Sequence, residues 1–422
     1  MKFEKLFTSI SSASDSASST SRYYPSSKKK NHKSIKIQNI VPSDVIVEQD
    51  SERDLIIRKQ IKSLWRLPVG GREYNPSPNP VSIRRDQLNL LKESDYVVSE
   101  KSDGCRYMLT LIKDHDRSNL ALMKDRACVK YIISVCAKPI FFEGTIFDGE
   151  LVLETNKETG KQRLVYWIFD VISVGGVSIM DKGYMSRFQI VLALVRDAGG
   201  YVIKNSPSEE EEYCQDLAKV NIISALHNNL NLCFKAKPYF MLSKIENLWS
   251  LKAQLSHSSD GLIFMPIKDS VKTGTHKTMF KYKLNHTIDL QLNLNFCAET
   301  KTWKVGLFYG EERFLKTKVD LLPLVDATDG FDYESKIIYF TLADDTLEEM
   351  TKKMLEAEDH KFISIVECNI KLMGKTNLIC VVKKLRADKT VPNNYRTIQQ
   401  TILNMEESIS FEELKNQIVK NN

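Results

Sequence analysis

The sequence has no two cysteines in a C-x-x-C spacing; its eight cysteines are scattered along 422 residues. That scatter excludes a zinc finger or ribbon and a disulfide frame, and reads as reduced core cysteines of an intracellular protein. No apolar run approaches the ~20 residues that a membrane-spanning helix needs. The opening MKFEKLFTSISSASDSASST lacks the apolar core of a secretory signal. A strong charge excess is missing too: a net charge of +6 permits a polyanionic partner without demanding one. No internal repeat is visible. What remains is ordinary for a soluble globular protein, with 42% hydrophobic and 27% charged residues. A chain of 422 residues exceeds one ordinary core, which predicts two domains plus tails.

Residues 1–40 are Ser-rich and then basic (SSKKKNHK), with little to bury, and read as a disordered tail. Order is expected from Val41–Pro42. The segment VGGREYNPSPNP (69–80) is punctuated by Gly and Pro and reads as a loop. A strand-rich block follows, with strands expected at 96–101, 106–112, 140–154 with a turn inside, 163–174, 261–267 and 277–284. Helices are expected at 186–199, 209–229 and 244–257. From Thr287 the texture changes to short alternating runs: TIDLQLNLNF, TWKVGLFYG, RFLKTKVDLL, KIIYFTLA, FISIVECNI and NLICVVKKL. Six such runs suggest a small barrel of OB type, with a helix at 344–359. After RADKTVPNN the pattern turns helical again, and Ser410 and Glu413 stand at capping-box spacing.

Several short stretches sit oddly within this pattern, though each alone has an ordinary explanation. In SEKSDGCRY (99–107) Lys101 ends one apolar strand before a tight Asp-Gly step, and Arg106 opens the next. A lysine held near buried strands, with other cations close by, has its charged form disfavoured and becomes a usable amine nucleophile. In IFDGELVLE (146–154) the ordinary reading is a hairpin closed by Asp-Gly, yet Glu150 lies within an apolar strand. An unpaired carboxylate there is costly, so it needs a ribose hydroxyl, a metal ion or the lysine itself. In YWIFDVISV (166–174) Phe169 is an aromatic able to stack on a base. SDGLIFMPI (259–267) repeats the Asp-Gly entry into a strand. Lys281 and Lys283, two apart, share one face of a strand and repel unless an anion such as phosphate lies between them. LRADKTVPNN (385–394) places another charged cluster where the barrel ends.

The order and spacing of Lys101, Glu150, Phe169, Asp260, Lys281/Lys283 and Arg386–Lys389 resemble the six nucleotidyltransferase motifs shared by capping guanylyltransferases and polynucleotide ligases. EKSDGCRY, PNPVSIRR before it, TIDL after Lys283, and RADKTVPN resemble the eukaryotic mRNA capping guanylyltransferases in their stand-alone, fungal-like form, over roughly residues 60 to 410. The resemblance implies an α+β fold: a ligase-like nucleotidyltransferase domain of antiparallel sheets and flanking helices, plus an OB-fold lid. It implies domains at 41–286 and 287–391, with C-terminal helices (392–422) packing back on the first. It implies that Lys101 attacks the α-phosphate of GTP, releases pyrophosphate and passes GMP to a 5′-diphosphate RNA end. By the same resemblance Arg106 contacts the ribose or a phosphate, Glu150 the ribose, Phe169 and Ile263 flank the guanine, and Lys237 in FKAKPYF contacts the base. Lys281 and Lys283 hold the α-phosphate. Arg386, Asp388 and Lys389 belong to the GTP-binding set of the lid, with Arg386 and Lys389 reaching the β- and γ-phosphates. Mg²⁺ or Mn²⁺ is implied, with Asp260 and Glu150 as candidate ligands. So are a nuclear location, a phosphorylated RNA polymerase II tail and no membrane.

The first 40 residues are too short to fold as an RNA triphosphatase, and no H-C-x-x-G-x-x-R signature occurs. A separate triphosphatase subunit is therefore expected. An ATP-dependent RNA or DNA ligase shares the lysine chemistry, but RADKTVPN argues against it. An inactive RNA-binding scaffold has no reason to cluster so many charged groups.

Overall fold

The computed structural model describes residues 46–71, 73–135, 137–195, 232–297, 302–308, 338–342, 361–373, 377–386, 389 and 391–419. The Ser-rich tail, the helices expected at 209–229 and 344–359, the strand expected at 313–322, and Asp388 lie outside these residues. The chain divides into two compact units, Gln38–Leu284 with Glu407–Asn422, and Asn285–Glu406.

The first unit is built on strands β1 (Asn79–Ser82), β2 (Tyr96–Ser102), β3 (Cys105–Lys113), β4 (Asn119–Lys124), β5 (Lys130–Ile133), β6 (Thr145–Thr155), β7 (Gln162–Val174), β8 (Val177–Ser178), β9 (Leu232–Ala236), β10 (Phe240–Met241), β11 (Ser259–Pro266) and β12 (Thr275–Tyr282). Two sheets result. The first has the order β1-β12-β11-β2-β10, and the second the order β5-β4-β3-β6-β7-β8 with β9 beside β7. Pairing is antiparallel except for β1 with β12 and β9 with β7. The chain leaves the first sheet at the end of β2 and enters the second at β3, so Asp103-Gly104 is the crossing point.

Around the sheets lie α1 (Glu52–Leu64), α2 (Leu90–Glu93), α3 (Tyr184–Leu194) and α4 (Ile245–Leu251). Helix α1 escaped the sequence reading although its signals are present. Ser51 caps it by accepting from the Asp54 amide at 3.2 Å, and Ile57 and Ile61, one turn apart, are buried. They pack with Trp65, Met108, Ile112 and Ile172. Helix α3 covers less than the expected 186–199, ending at Leu194, and the expected 244–257 helix is one α-helical segment between two 3₁₀ turns. The stretch 140–154 also corrects the expectation of a turn. A 3₁₀ turn spans Pro139–Glu143, and β6 then runs unbroken through Asp148-Gly149.

The second unit carries β13 (Thr287–Cys297), β14 (Thr302–Phe308), β15 (Ile338–Leu342), β16 (Lys361–Met373) and β17 (Asn377–Leu385) in the order β14-β13-β16-β17-β15. Helix α5 (Tyr395–Glu407) follows. Residues 392–406 group with this unit. The cause is visible at Asn393, whose amide donates to the Asp289 carbonyl at 2.7 Å and whose side chain accepts from the Asp289 amide at 2.8 Å.

The chain then returns to the first unit as α6 (Phe411–Val419). Ser410 caps it, accepting from the Glu413 amide at 3.1 Å. Phe411 stacks on Trp249 with centroids 4.3 Å apart, Leu414 is fully buried, and Glu413 makes a two-pronged contact with Arg85 at 2.7 and 3.0 Å. Phe411 is only partly buried, so Phe411→Ala should lower stability by about 2 kcal/mol, below the range for fully buried aromatics. A thermal melt checks this, and an unchanged melt would show that the helix adds nothing to the unit.

Candidate active site

Most of the residues singled out in the first unit share one structural signature. Each is a half-open position whose two strand neighbours are buried. Lys101 is the sole such residue of β2. Glu150 in β6, Phe169 in β7, Ile263 in β11 and Lys281 in β12 behave likewise. Arg106, in contrast, is buried at the start of β3.

Two β-bulges create part of this pattern. Along β11 the register passes from Ser259 opposite Ser102 to Gly261 opposite Lys101, leaving Asp260 as the extra residue. Along β7 it passes from Asp170 opposite Asp148 to Ile168 opposite Gly149, leaving Phe169 as the extra residue. A bulge re-aims one side chain. The main-chain carbonyl of Phe169 is taken by the Tyr184 hydroxyl at 2.7 Å. The Asp-Gly steps are therefore not hairpin turns. Their glycines answer close approach: a Cβ on Gly104 would lie 2.4 Å from the Leu151 carbonyl, one on Gly149 2.6 Å from that of Trp167, and one on Gly261 1.9 Å from that of Tyr282.

Asp260 gathers the lysines. Lys101 Nζ lies 2.9 and 3.1 Å from its two oxygens, and Lys283 Nζ lies 2.5 Å from Oδ2. Burial pushes this carboxyl up, but Lys101 and Lys283 outweigh it and hold the group below its usual range. Lys281, on the neighbouring strand opposite Ile263, makes no ion pair among the described residues. Burial, together with the charges of Lys283, Lys101 and Arg126, pushes its ammonium down to about 8. One carboxylate thus faces three lysines, an arrangement that favours an incoming anion.

On the second sheet Arg106 is fixed by Asp148 through two bonds of 2.9 and 2.6 Å, donates to the Pro78 carbonyl at 2.8 Å, and lies 5.2 Å from the centroid of the Phe169 ring. The loop bearing Pro78 is anchored upstream by Lys62, which donates to the carbonyls of Val69, Gly70 and Gly71. Glu150 sits opposite both Arg106 and Trp167. Burial raises its carboxyl, against the fields of Lys101, Arg126, Arg106 and Lys237. Asp170, by contrast, is bound by Arg187 through two bonds of 2.8 Å and serves the fold.

Lys237 follows β9 and is buried. Its ammonium donates to Glu100 and, at 2.5 Å, to Ser102. Burial lowers it below the usual lysine range, with Glu100 opposing. This network and Arg126 were missed by the sequence reading. Arg126 lies alone in the hairpin between β4 and β5, and only tertiary folding brings its charge to Glu150 and Lys281. In the second unit, Arg386 bonds Asp289 at 3.0 Å and Glu367 at 3.3 Å, and Lys389 also bonds Asp289.

The lowered Lys281 has a measurable consequence. Unfolded, the lysine titrates near 10.5; folded, near 8. Below pH 8 the native state therefore carries an unfavourable charge, and that burden is relieved as pH rises from 8 towards 10.5. Lys281→Met should stabilise the first unit at pH 7 by roughly 1–2 kcal/mol, discounted for its partial exposure. The gain should vanish at high pH in melts run across the range. GTP-dependent labelling should fall by about 10²–10³-fold. A loss of stability at pH 7 would mark the lysine as structural.

The mRNA capping enzyme catalytic-domain family matches residues 37–285. The chain is 26% identical over 386 residues to the mRNA-capping enzyme subunit alpha of Neurospora crassa, covering 86% of this chain and 88% of that one. To the subunit alpha of Schizosaccharomyces pombe it is 25% identical over 352 residues, covering 80% and 78%. To the mRNA-capping enzyme of Caenorhabditis elegans it is 22% identical over 374 residues, covering 86% of this chain and 51% of that longer one. The family match takes in Lys101, Asp260 and both members of the Lys281/Lys283 pair, so the cationic site lies inside the shared catalytic domain. The chain belongs to the mRNA capping enzyme family and is an mRNA guanylyltransferase.

Proposed function

We propose that Lys101 is the guanylylated residue, and the observation that carries this is the convergence of Lys101 and Lys283 on Asp260 with Lys281 beside them. The unprotonated amine of Lys101 attacks the α-phosphorus of GTP. A P–N bond forms, the bond to the bridging oxygen breaks, and pyrophosphate leaves with that electron pair. The acceptor within reach of the amine's proton is Asp260. Lys281 and Lys283 bear on the α-phosphate oxygens as charge develops. In the second step an oxygen of the terminal phosphate of 5′-diphosphate RNA attacks the same phosphorus. The P–N bond breaks, Lys101 is regenerated, and GpppRNA results. The strand junction supplies a stiff platform for both in-line displacements.

Arg106 and Glu150 serve the ribose and its phosphate, Phe169 and Ile263 flank the guanine, and Lys237 reads its O6. Asp260 and Glu150 do not suit a resident divalent ion. Asp260 is bridged by two ammonium groups, and the one set of three metal-type ligands among the described residues is Asp114, His115 and Asp116, just past the end of β3 opposite to Arg106, with Asp114 tied to Arg53. A Mg²⁺ or Mn²⁺ ion therefore enters as the counter-ion of the triphosphate, as part of the substrate.

The second unit acts as an OB-type lid, with Arg386, Asp388 and Lys389 as its GTP-facing set. The fungal relatives' designation as a subunit alpha supports a separate triphosphatase partner. A nuclear site of action and the phosphorylated RNA polymerase II tail as a docking partner complete the reading. The lid assignment is tested by separating the two steps. Arg386→Ala and Lys389→Ala should each reduce enzyme–GMP formation by about 10²-fold or more, since they act on the departing pyrophosphate. Transfer from isolated enzyme–GMP to RNA should change by less than about fivefold on the same physical grounds. Equal losses in both steps would remove Arg386 and Lys389 from the pyrophosphate.

A further inference from the structure

Lysine 101 is flanked on β2 by two buried polar residues that the proposed chemistry does not use. Glu100 is 3% exposed and Ser102 is 6% exposed. Strand alternation turns both away from the side taken by Lys101. A single oxygen, Glu100 Oε1, accepts from Lys237, from the Ser102 hydroxyl at 2.8 Å and from His257 Nε2 at 2.9 Å. Its other oxygen makes no hydrogen bond among the described residues. Ser102 Oγ also lies 3.3 Å from His257 Nε2. His257 is itself held against the Trp167 ring, with centroids 6.2 Å apart, and the Lys237 ammonium lies 5.6 Å from that same ring's centroid.

An ammonium has three donors. Among the described residues Glu100 and Ser102 take two of those on Lys237, which leaves one. Lys237 also lies within the electrostatic reach of Glu150 and Lys101, so the buried network ends at the edge of the nucleotide site. A flexible lysine with one donor left has one direction in which to use it, once the other two are fixed. We infer that Glu100, oriented by His257, is a positioning residue that aims the remaining N–H of Lys237 at the guanine O6, so that nucleotide choice depends on a carboxylate that never touches the nucleotide. This rests on the reading of Lys237 as the O6 contact.

The inference is tested with the full chain, by covalent labelling as a function of nucleotide concentration. GTP is compared with 2-aminopurine riboside triphosphate, which lacks O6 but keeps the ring and the triphosphate. Glu100→Gln should raise the KM for GTP by about 30-fold, leave the 2-aminopurine nucleotide within about twofold, and leave kcat at saturating GTP within about twofold. His257→Leu should show the same pattern more weakly, and His257→Gln, which keeps a donor, should restore most of the preference for GTP. That pair carries the test should Glu100→Gln misfold. Lys237→Ala is the control and should abolish the preference. If it does so while the Glu100 and His257 variants weaken both nucleotides equally, the network is merely structural and the inference falls alone. If Lys237→Ala leaves the preference intact, the O6 reading itself falls and takes the inference with it.

Discussion

Lys101→Arg should give no covalent GMP adduct: labelling should drop by about 10⁴-fold or more, because removing the nucleophile leaves no second route to the intermediate. Arginine keeps the positive charge and the contact with Asp260, so the fold and the balance of charge should survive. A guanidinium is not deprotonated in proteins and so has no lone pair to offer. The melting temperature should stay within a few degrees of the parent. The rival nucleophile in the same site is Lys281, whose ammonium burial and neighbouring charges push down to about 8. Peptide mapping of the adduct separates the two. Label retained in the arginine variant, or mapped to Lys281 in the parent, would overturn the assignment.

Gly261→Ala should be the most damaging single change outside the lysines. The added carbon would stand 1.9 Å from the Tyr282 carbonyl oxygen, a backbone atom that cannot swing aside. Strands β11 and β12 would have to separate where they present Asp260, Lys281 and Lys283. Overpacking of this kind costs about 3 kcal/mol or more, and labelling should be lost even where soluble protein is recovered. Denaturant unfolding checks the stability and adduct formation checks the site. A variant of normal stability and activity would show that the strands tolerate the gap, and with it that the bulge at Asp260 is not held by this contact.

Much of this site was legible because its residues violate the pattern around them. A lysine, a glutamate and a lysine pair in or beside apolar strands are visible without coordinates, and the structure leaves Lys101, Glu150, Lys281 and, one residue past β12, Lys283 half-open. The Asp148-Gly149 step was visible but misread. The dipeptide signals a turn when read locally, whereas here tertiary contacts across the sheets demand a missing Cβ. The two bulges that expose Asp260 and Phe169 depend on cross-strand register, which no single strand encodes. Arg126 and His257 were not legible because a lone arginine in a hairpin and a lone histidine before a strand carry no signal of their own. Glu100 read as part of the strand because its charge partner Lys237 lies 137 residues away. Helix α1 was legible in principle, through Ser51 and the Ile57/Ile61 spacing, while the assignment of residues 392–406 hangs on Asn393 meeting Asp289 across 104 residues.

The most direct measurement is to incubate the purified full chain with Mg²⁺ and either α-labelled GTP or α-labelled ATP, denature it, and follow the label on the protein. A covalent adduct with GTP is expected, stable in alkali and lost in acid, because protonating the bridging nitrogen makes Lys101 a good leaving group. Essentially no adduct is expected with ATP, since a site built to pair guanine's O6 and N2 leaves its own groups unpaired against adenine. Labelling by ATP in place of GTP, or by neither in a folded sample, would contradict this expectation.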